Sequence, residues 1–148
     1  MSADDALLPR LFTEIGIIHQ LASTAASREL APMRLNMSEF ALLNHFSLRG
    51  DGQTPTDLAR IMQVAKPSMT VMLRKLAAKA FVTIAPDRDD ARRQRVHVLD
   101  AGRAVHAEAA GRLAAMVAIA TDGLDRAALL ATLPTLALLR EHLDALRD

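Results

Sequence analysis

The chain has 148 residues, of which 51% are hydrophobic, enough for one ordinary domain with its own core and too few for two independent ones. It contains no cysteine, which excludes disulfides, thiolate metal sites and thiol redox sensing. No charge-free apolar run reaches the roughly eighteen residues of a membrane span, and Asp4 and Asp5 precede Leu7 where a secretion signal would carry basic residues, so the expected location is the cytoplasm with no membrane partner. The net charge of +1 conceals an uneven distribution. Residues 1–59 carry four Lys or Arg against seven Asp or Glu, residues 60–95 nine against three, and residues 96–148 five against seven. A basic middle between acidic flanks is the pattern of a polyanion-binding element carried on a non-binding scaffold.

Leu7, Leu8, Leu11, Phe12, Ile15, Ile18, Leu21 and Ala22 keep helical spacing, with Pro9 acceptable in a first turn and Pro32 as a stop. They predict a first helix of about twenty residues. Asn36 followed by Glu39 is a reciprocal cap, and Phe40, Leu42, Leu43 and Phe46 then give the second helix its buried face until Gly50 and Gly52 end it. Thr54, Pro55 and Asp57 start a short third helix with Leu58, Ile61 and Met62 turned inward. After a tight connection at Val64 and Ala65, Lys66 and Pro67 open a fourth, so that two short helices meet through a turn in the spacing of a helix-turn-helix.

The fourth helix has two unlike faces. Met69, Met72, Leu73 and Leu76 form an apolar stripe. Lys66, Ser68, Thr70, Val71, Arg74 and Lys75 lie on or beside the opposite face, where hydroxyls and cations can reach phosphates and base edges, and no acid accompanies them. The period then changes. Phe81–Ile84 and Arg95–Val98 read as two strands of a hairpin whose long loop, Pro86–Gln94, gathers three acids and three arginines at an exposed tip. Placed after a helix-turn-helix, this tip is a wing.

Asp100 is expected to cap a long alanine-rich helix over about 101–120, closed by Gly123. The segment 125–147 repeats leucine and is interrupted by Pro134, which should kink or divide it. Helices this apolar at both chain ends need a partner, so the first helix and the last two segments are expected to build a two-fold homodimer. No nucleophile, base and orienter can be assembled, which makes an enzyme the poorest reading and implies no cofactor. His106 and Glu108 diverge on a helix and the remaining histidines lack ligand spacing, so a metal-responsive regulator stands only as an alternative reading, which metal-dependent DNA binding would favour. A winged helix serving only protein interaction would have no need of the basic middle.

The order of elements is similar to that of the MarR family of bacterial transcriptional regulators over nearly the whole chain. Leu35-Asn36 with Phe40 and Leu43, Thr56-Asp57-Leu58-Ala59, and Pro67-Ser68-Met69-Thr70 with Lys75-Leu76 resemble its second helix and its helix-turn-helix, and Asp90-Ala91-Arg92-Arg93 followed by Val96, Val98 and Gly102 resembles its wing. The resemblance implies a mainly α fold with a small β-hairpin wing. It divides the chain into a winged helix-turn-helix DNA-binding lobe at 36–99 and a helical dimerisation lobe at 1–35 and 100–148. It further implies a homodimer, a repressor in the first instance, on a pseudo-palindromic stretch of double-stranded DNA, released by a small aromatic or phenolic effector.

Carried over by residue, Ser68, Thr70 and Lys75 would meet the major groove or its phosphates, and Arg92 would enter the minor groove held by Asp90, with Arg93 and Arg95 beside it. Val71 stands where an arginine is common, which favours contact with a thymine methyl. Ala65 replaces a hydroxyl cap, Ala80 a glycine, Ile84 an arginine and Leu99 a threonine. The effector is expected where the dimer helices meet the DNA-binding lobe, with Ile15, His19, Phe40 and Phe46 as lining.

Overall fold

The computed structural model describes residues 3–146. In chain order it contains α1 (Ala3–Leu30), a 3-10 turn (Ala31–Met33), α2 (Met37–Arg49), α3 (Pro55–Met62), α4 (Lys66–Ala78), β1 (Val82–Pro86), β2 (Gln94–Val98), α5 (Asp100–Ala120), α6 (Arg126–Ala131) and α7 (Leu133–Ala145). The chain forms two compact units, residues 1–116 and 117–148.

In the first unit the core comes from every element. Leu30, Leu42, Leu43, Leu58, Met69, Leu73, Leu76, Val82, Val96 and Ala109 are essentially removed from solvent. The lobe at 36–99 therefore shares its core with the end of α1, through Leu30, and with α5, through Ala109. The α4 stripe is buried as its spacing requires, with Met69, Leu73 and Leu76 inside and Met72 half-buried. In α3 the inward residues are Leu58 and Ala59, and Ile61 is exposed instead. The reason is angular: at 100° per residue, positions 58, 59 and 62 share one side, and 61 falls outside it.

The caps follow the sequence closely. Asn36 Oδ1 accepts the Glu39 N–H at 2.8 Å while Glu39 Oε2 accepts the Asn36 N–H at 3.1 Å, and Thr54 Oγ1 accepts the Asp57 N–H at 3.1 Å. Asp100, expected as a cap, is instead the first residue of α5, and its carboxylate takes Arg103 Nη2. The Leu99 carbonyl accepts the first intrahelical bond, from the Arg103 N–H at 3.0 Å. Pro9 lies in the second turn of α1 rather than the first, and the helix runs through it to 28 residues. Three packed helices end on left-handed residues without using glycine: Arg34, Gln63 and Ala80 have φ of 59°, 57° and 58°. At each the following amide closes back on the helix, Leu35 to Leu30 O, Val64 to Ala59 O and Phe81 to Leu76 O, the double-bonded stop that satisfies orphan carbonyls.

The strands pair antiparallel, Val82 opposite Val98 through Pro86 opposite Gln94. The linker between α2 and α3 runs along the other edge of β2, where the Gly52 N–H donates to Val96 O at 2.7 Å and the Val96 N–H to Gln53 O at 3.0 Å. Gly102 lets α5 pass against the hairpin, because a Cβ there would collide with the Phe81 carbonyl oxygen. In the second unit, Asp125 Oδ1 caps α6 by accepting the Ala127 and Ala128 amides. Pro134 divides the segment rather than kinking it, since it sits in the opening turn of α7, where a missing N–H costs nothing.

Candidate nucleic-acid interface

Helix α4 presents Lys66, Ser68, Thr70, Val71, Arg74 and Lys75 on its exposed side. Its first turn contains no acid, and Ala65 provides no side-chain cap, so the positive end of the helix dipole is not offset by the protein's own carboxylates. The Thr70 hydroxyl donates to Lys66 O at 3.0 Å and keeps its lone pairs for outside donors. Lys66, Arg74 and Lys75 form no ion pair among the described residues. Val71 is 49% exposed, an apolar spot in a polar face.

The wing tip is built by its acids. Asp90 Oδ1 accepts the Arg92 N–H at 3.0 Å and Asp90 O accepts the Arg93 N–H at 2.9 Å, which folds the tip tightly enough to turn the arginines outward. Asp90 also lies 3.5 Å from Arg92 Nε, although the Arg92 side chain stays 95% exposed. The expected Asp90–Arg92 partnership is present, with Asp90 acting mainly on the backbone. Arg93 lies near enough to Asp57 to help hold that carboxyl below the usual carboxylate range, an effect led by the Thr54 hydroxyl and aided by Arg60.

Arg95 does not join the outward set. Its Nε donates to Asp87 Oδ2 and its Nη1 to Gly52 O at 2.9 Å. Asp87 is in turn held below the ordinary carboxylate range by the Asp89 N–H and by Arg95. No local pattern signals this, since Arg95 stands in an arginine-rich run and its partners lie 8 and 43 positions away.

Another association that spacing does not reveal joins Glu39 and Lys79. Lys79 Nζ donates to Glu39 Oε1 and Oε2 at 3.1 and 3.0 Å and to Arg34 O. The two side chains are only 3% and 14% exposed, so this cation anchors the end of α4 to the start of α2 and faces no ligand.

A cleft of about 450 Å³ lies between α2 and α5, lined by Leu43, Phe46, Ser47, Gly50, Asp51, Val98, Gly102, Arg103, His106 and Ala107. Of the four effector candidates, Phe46 lines it. Phe40 stacks on His106, with ring centroids 5.5 Å apart and an interplanar angle of 17°. Ile15 and His19, on α1, are not among its lining residues. His106 Nε2 is 3.1 Å from Asn44 Oδ1, and burial pushes its pKa below the usual histidine value. Among the described residues no group of three His, Cys, Asp or Glu could hold a metal ion, and no helix is long and apolar enough to cross a membrane.

A helix-turn-helix whose second helix is polar, basic and exposed, flanked by a hairpin with an arginine tip, defines a winged-helix DNA-binding protein. Residues 35–93 match the model described as the MarR family, and the chain has the fold of that family's transcriptional regulators. Among solved structures it is similar to the transcriptional regulator BldR from Sulfolobus solfataricus, at 25% identity with 95% of this chain and 99% of that one covered and a TM-score of 0.75. The organohalide-sensing regulator RdhR in its 2,4-dichlorophenol-bound form shares the fold at 20% identity, 92% and 80% coverage and a TM-score of 0.80. A variant of MepR from S. aureus bound to an oligodeoxyribonucleotide does so at 19% identity, 93% and 98% coverage and a TM-score of 0.63. No curated protein sequence matches.

Proposed function

We propose that this protein is a homodimeric repressor that lays α4 in the major groove of a pseudo-palindromic DNA site and its wing in the adjacent minor groove. The observation that carries the reading is the acid-free exposed face of α4 beside outward Arg92 and Arg93. The oligonucleotide bound to the MepR variant supports DNA as the partner. Lys66, Arg74 and Lys75 serve phosphates, Ser68 and Thr70 phosphates or base edges, and Val71 a thymine methyl. Arg92 suits the narrow, electronegative minor groove.

Exposed apolar side chains on the terminal helices call for a second copy. Helix α1 exposes Leu7, Leu8, Leu11, Phe12, Ile18 and Leu21, and α6 and α7 expose Leu130, Leu133, Leu136, Leu138 and Leu143. Such apolar density exceeds what a monomer leaves in water, and a two-fold partner covers it with the same surface of another copy. For the effector, the α2–α5 cleft offers an apolar wall at Leu43 and Phe46 and polar ends at Arg103 and His106. The dichlorophenol held by RdhR supports a small aromatic occupant.

Selection of bound duplexes from a random pool, followed by affinity measurements over a salt series, tests the DNA reading. Affinity should fall steeply with salt, with a logarithmic slope of about 0.9 per neutralised phosphate, and Arg92→Ala should weaken binding with little change in melting temperature. A flat salt response would refute it. Sedimentation should give a dimer, and 2,4-dichlorophenol should raise the melting temperature of the wild type and not of a His106→Ala variant.

A further inference from the structure

Arg95 stands within the basic segment yet points its guanidinium into the protein. Its side chain is 39% exposed, against 95% for Arg92. Two of its donors are committed in fixed directions, one to Asp87 where β1 ends and one to the Gly52 carbonyl in the α2–α3 linker. Asp87 is committed as well. Its side chain is 9% exposed, its Oδ1 accepts the Asp89 N–H at 2.8 Å, and its own N–H donates to Arg93 O at 2.8 Å. At the other end, Gly52 and Gln53 are bonded to Val96, and the next residue, Thr54, caps α3. A continuous set of bonds therefore runs from the residue behind the wing tip, through Arg95, to the first residue of the helix-turn-helix.

We propose that Arg95 and Asp87 are positioning residues that set the attitude of the wing to α3 and α4, so that Arg92 and Arg93 reach one groove while α4 occupies another; this rests on the DNA-binding reading above. A two-stranded hairpin is barely stable alone, and a small rotation at its base is magnified at its tip. The Gly52–Val96–Gln53 bonds fix only one edge of β2. Arg95 adds the tie that spans from that edge to the root of the tip. Guanidinium geometry suits the task, since its donors form a rigid planar fork and each bond to a carboxylate is charge-assisted.

Positioning and charge make opposite claims about Asp87. If the wing acted on DNA through its net charge alone, removing an acid would tighten binding. If Asp87 holds Arg95, removing its charge loosens the wing and weakens binding.

The experiment compares Asp87→Asn, Arg95→Gln, Arg95→Lys and the Asp87→Asn/Arg95→Gln double variant on the tightest duplex selected from a random pool, over a salt series. Asp87→Asn and Arg95→Gln should each weaken binding on the order of tenfold, the worth of one charge-assisted hydrogen bond. The double variant should be no weaker than either single one, because both act through one brace. The salt slope should stay at the wild-type value in all of them, and Arg95→Lys, which keeps the charge but loses the fork, should not restore affinity. Unchanged or tighter binding by Asp87→Asn, a slope reduced by about one phosphate in Arg95→Gln, or full rescue by lysine would each overturn the proposal. A wild type that binds every duplex without salt dependence sinks the DNA-binding reading instead. In that case amide exchange in the free protein still reads the brace: Arg95→Gln should speed exchange at Gly52 and Val96, and unchanged protection there refutes it.

Discussion

Ala80→Gly should stabilise the protein, and the structure gives both the sign and the size. Ala80 holds φ at 58° just after α4. Its N–H donates to Ala77 O at 3.0 Å and the next amide, of Phe81, to Leu76 O at 3.0 Å, so the position is locked by the helix stop. An L-residue in this region suffers about 1–2 kcal/mol from its Cβ approaching the following carbonyl, which glycine avoids. Glycine returns about 0.5–1 kcal/mol of that through its greater freedom in the unfolded chain. Because Ala80 is exposed, little packing is lost with its methyl, and a net gain of about 0.5–1 kcal/mol remains. At roughly 2–4 °C per kcal/mol for a chain of this size, the melting temperature should rise by about 1–4 °C. Calorimetry at one fixed protein concentration provides the test, since dimerisation would make the midpoint depend on concentration. Duplex affinity should not change, because the outward face of α4 is untouched. A lowered or unaltered midpoint would refute the argument that strain at this φ is uncompensated.

Gly102→Ala should do the reverse and destabilise by at least about 2 kcal/mol, because the new methyl meets the Phe81 carbonyl rather than a movable side chain; denaturant unfolding measures it. Lys79→Met should cost about 3–5 kcal/mol by leaving the Glu39 carboxylate buried without its cation, and the double variant with Glu39→Gln should recover part of that in the same assay. His106 is held below its ordinary pKa by burial, so as pH falls the unfolded chain takes up the proton first. Its contribution is complete above the unfolded value of about 6.5 and is lost as pH falls through the lower folded value. His106→Phe, which keeps the ring stack on Phe40, should flatten the decline in melting temperature over that interval, and an unchanged decline would place the titration elsewhere.

Helix starts were legible because a cap is a local event. Asn36 with Glu39 and Thr54 with Asp57 lie within one turn, and the backbone they satisfy is their own. Helix stops were less so. Glycine marks a left-handed stop, and Arg34, Gln63 and Ala80 take that conformation without it, because packing on both sides of each turn overrides local preference. The wing's existence was legible from the change of period at Phe81 and its Asp90–Arg92 motif. The use of Arg95 and Lys79 was not, since their partners are brought close only by the fold. The four effector candidates do not share one cleft for the same reason: apolar spacing marks Phe46 as buried, and nothing in it tells a cleft wall from a core.

The wing contains as many acids as arginines over Pro86–Gln94, and by formal count it should offer a polyanion little. The structure removes that difficulty by showing where each charge goes. Asp87 is turned inward against Arg95 and the Asp89 amide, and Asp90 is spent on the Arg92 amide. Arg95 and Lys79 are likewise consumed, by Asp87 and Glu39. What remains facing water is Lys66, Arg74 and Lys75 on α4 and Arg88, Arg92 and Arg93 on the wing, opposed on the tip chiefly by Asp89. Carboxylates bonded to backbone amides cancel the field of those amides more than that of cations at the ends of long side chains. The acids of the segment thus shape a loop that holds its arginines outward, and a nearly neutral wing by composition presents a positive tip to whatever it meets.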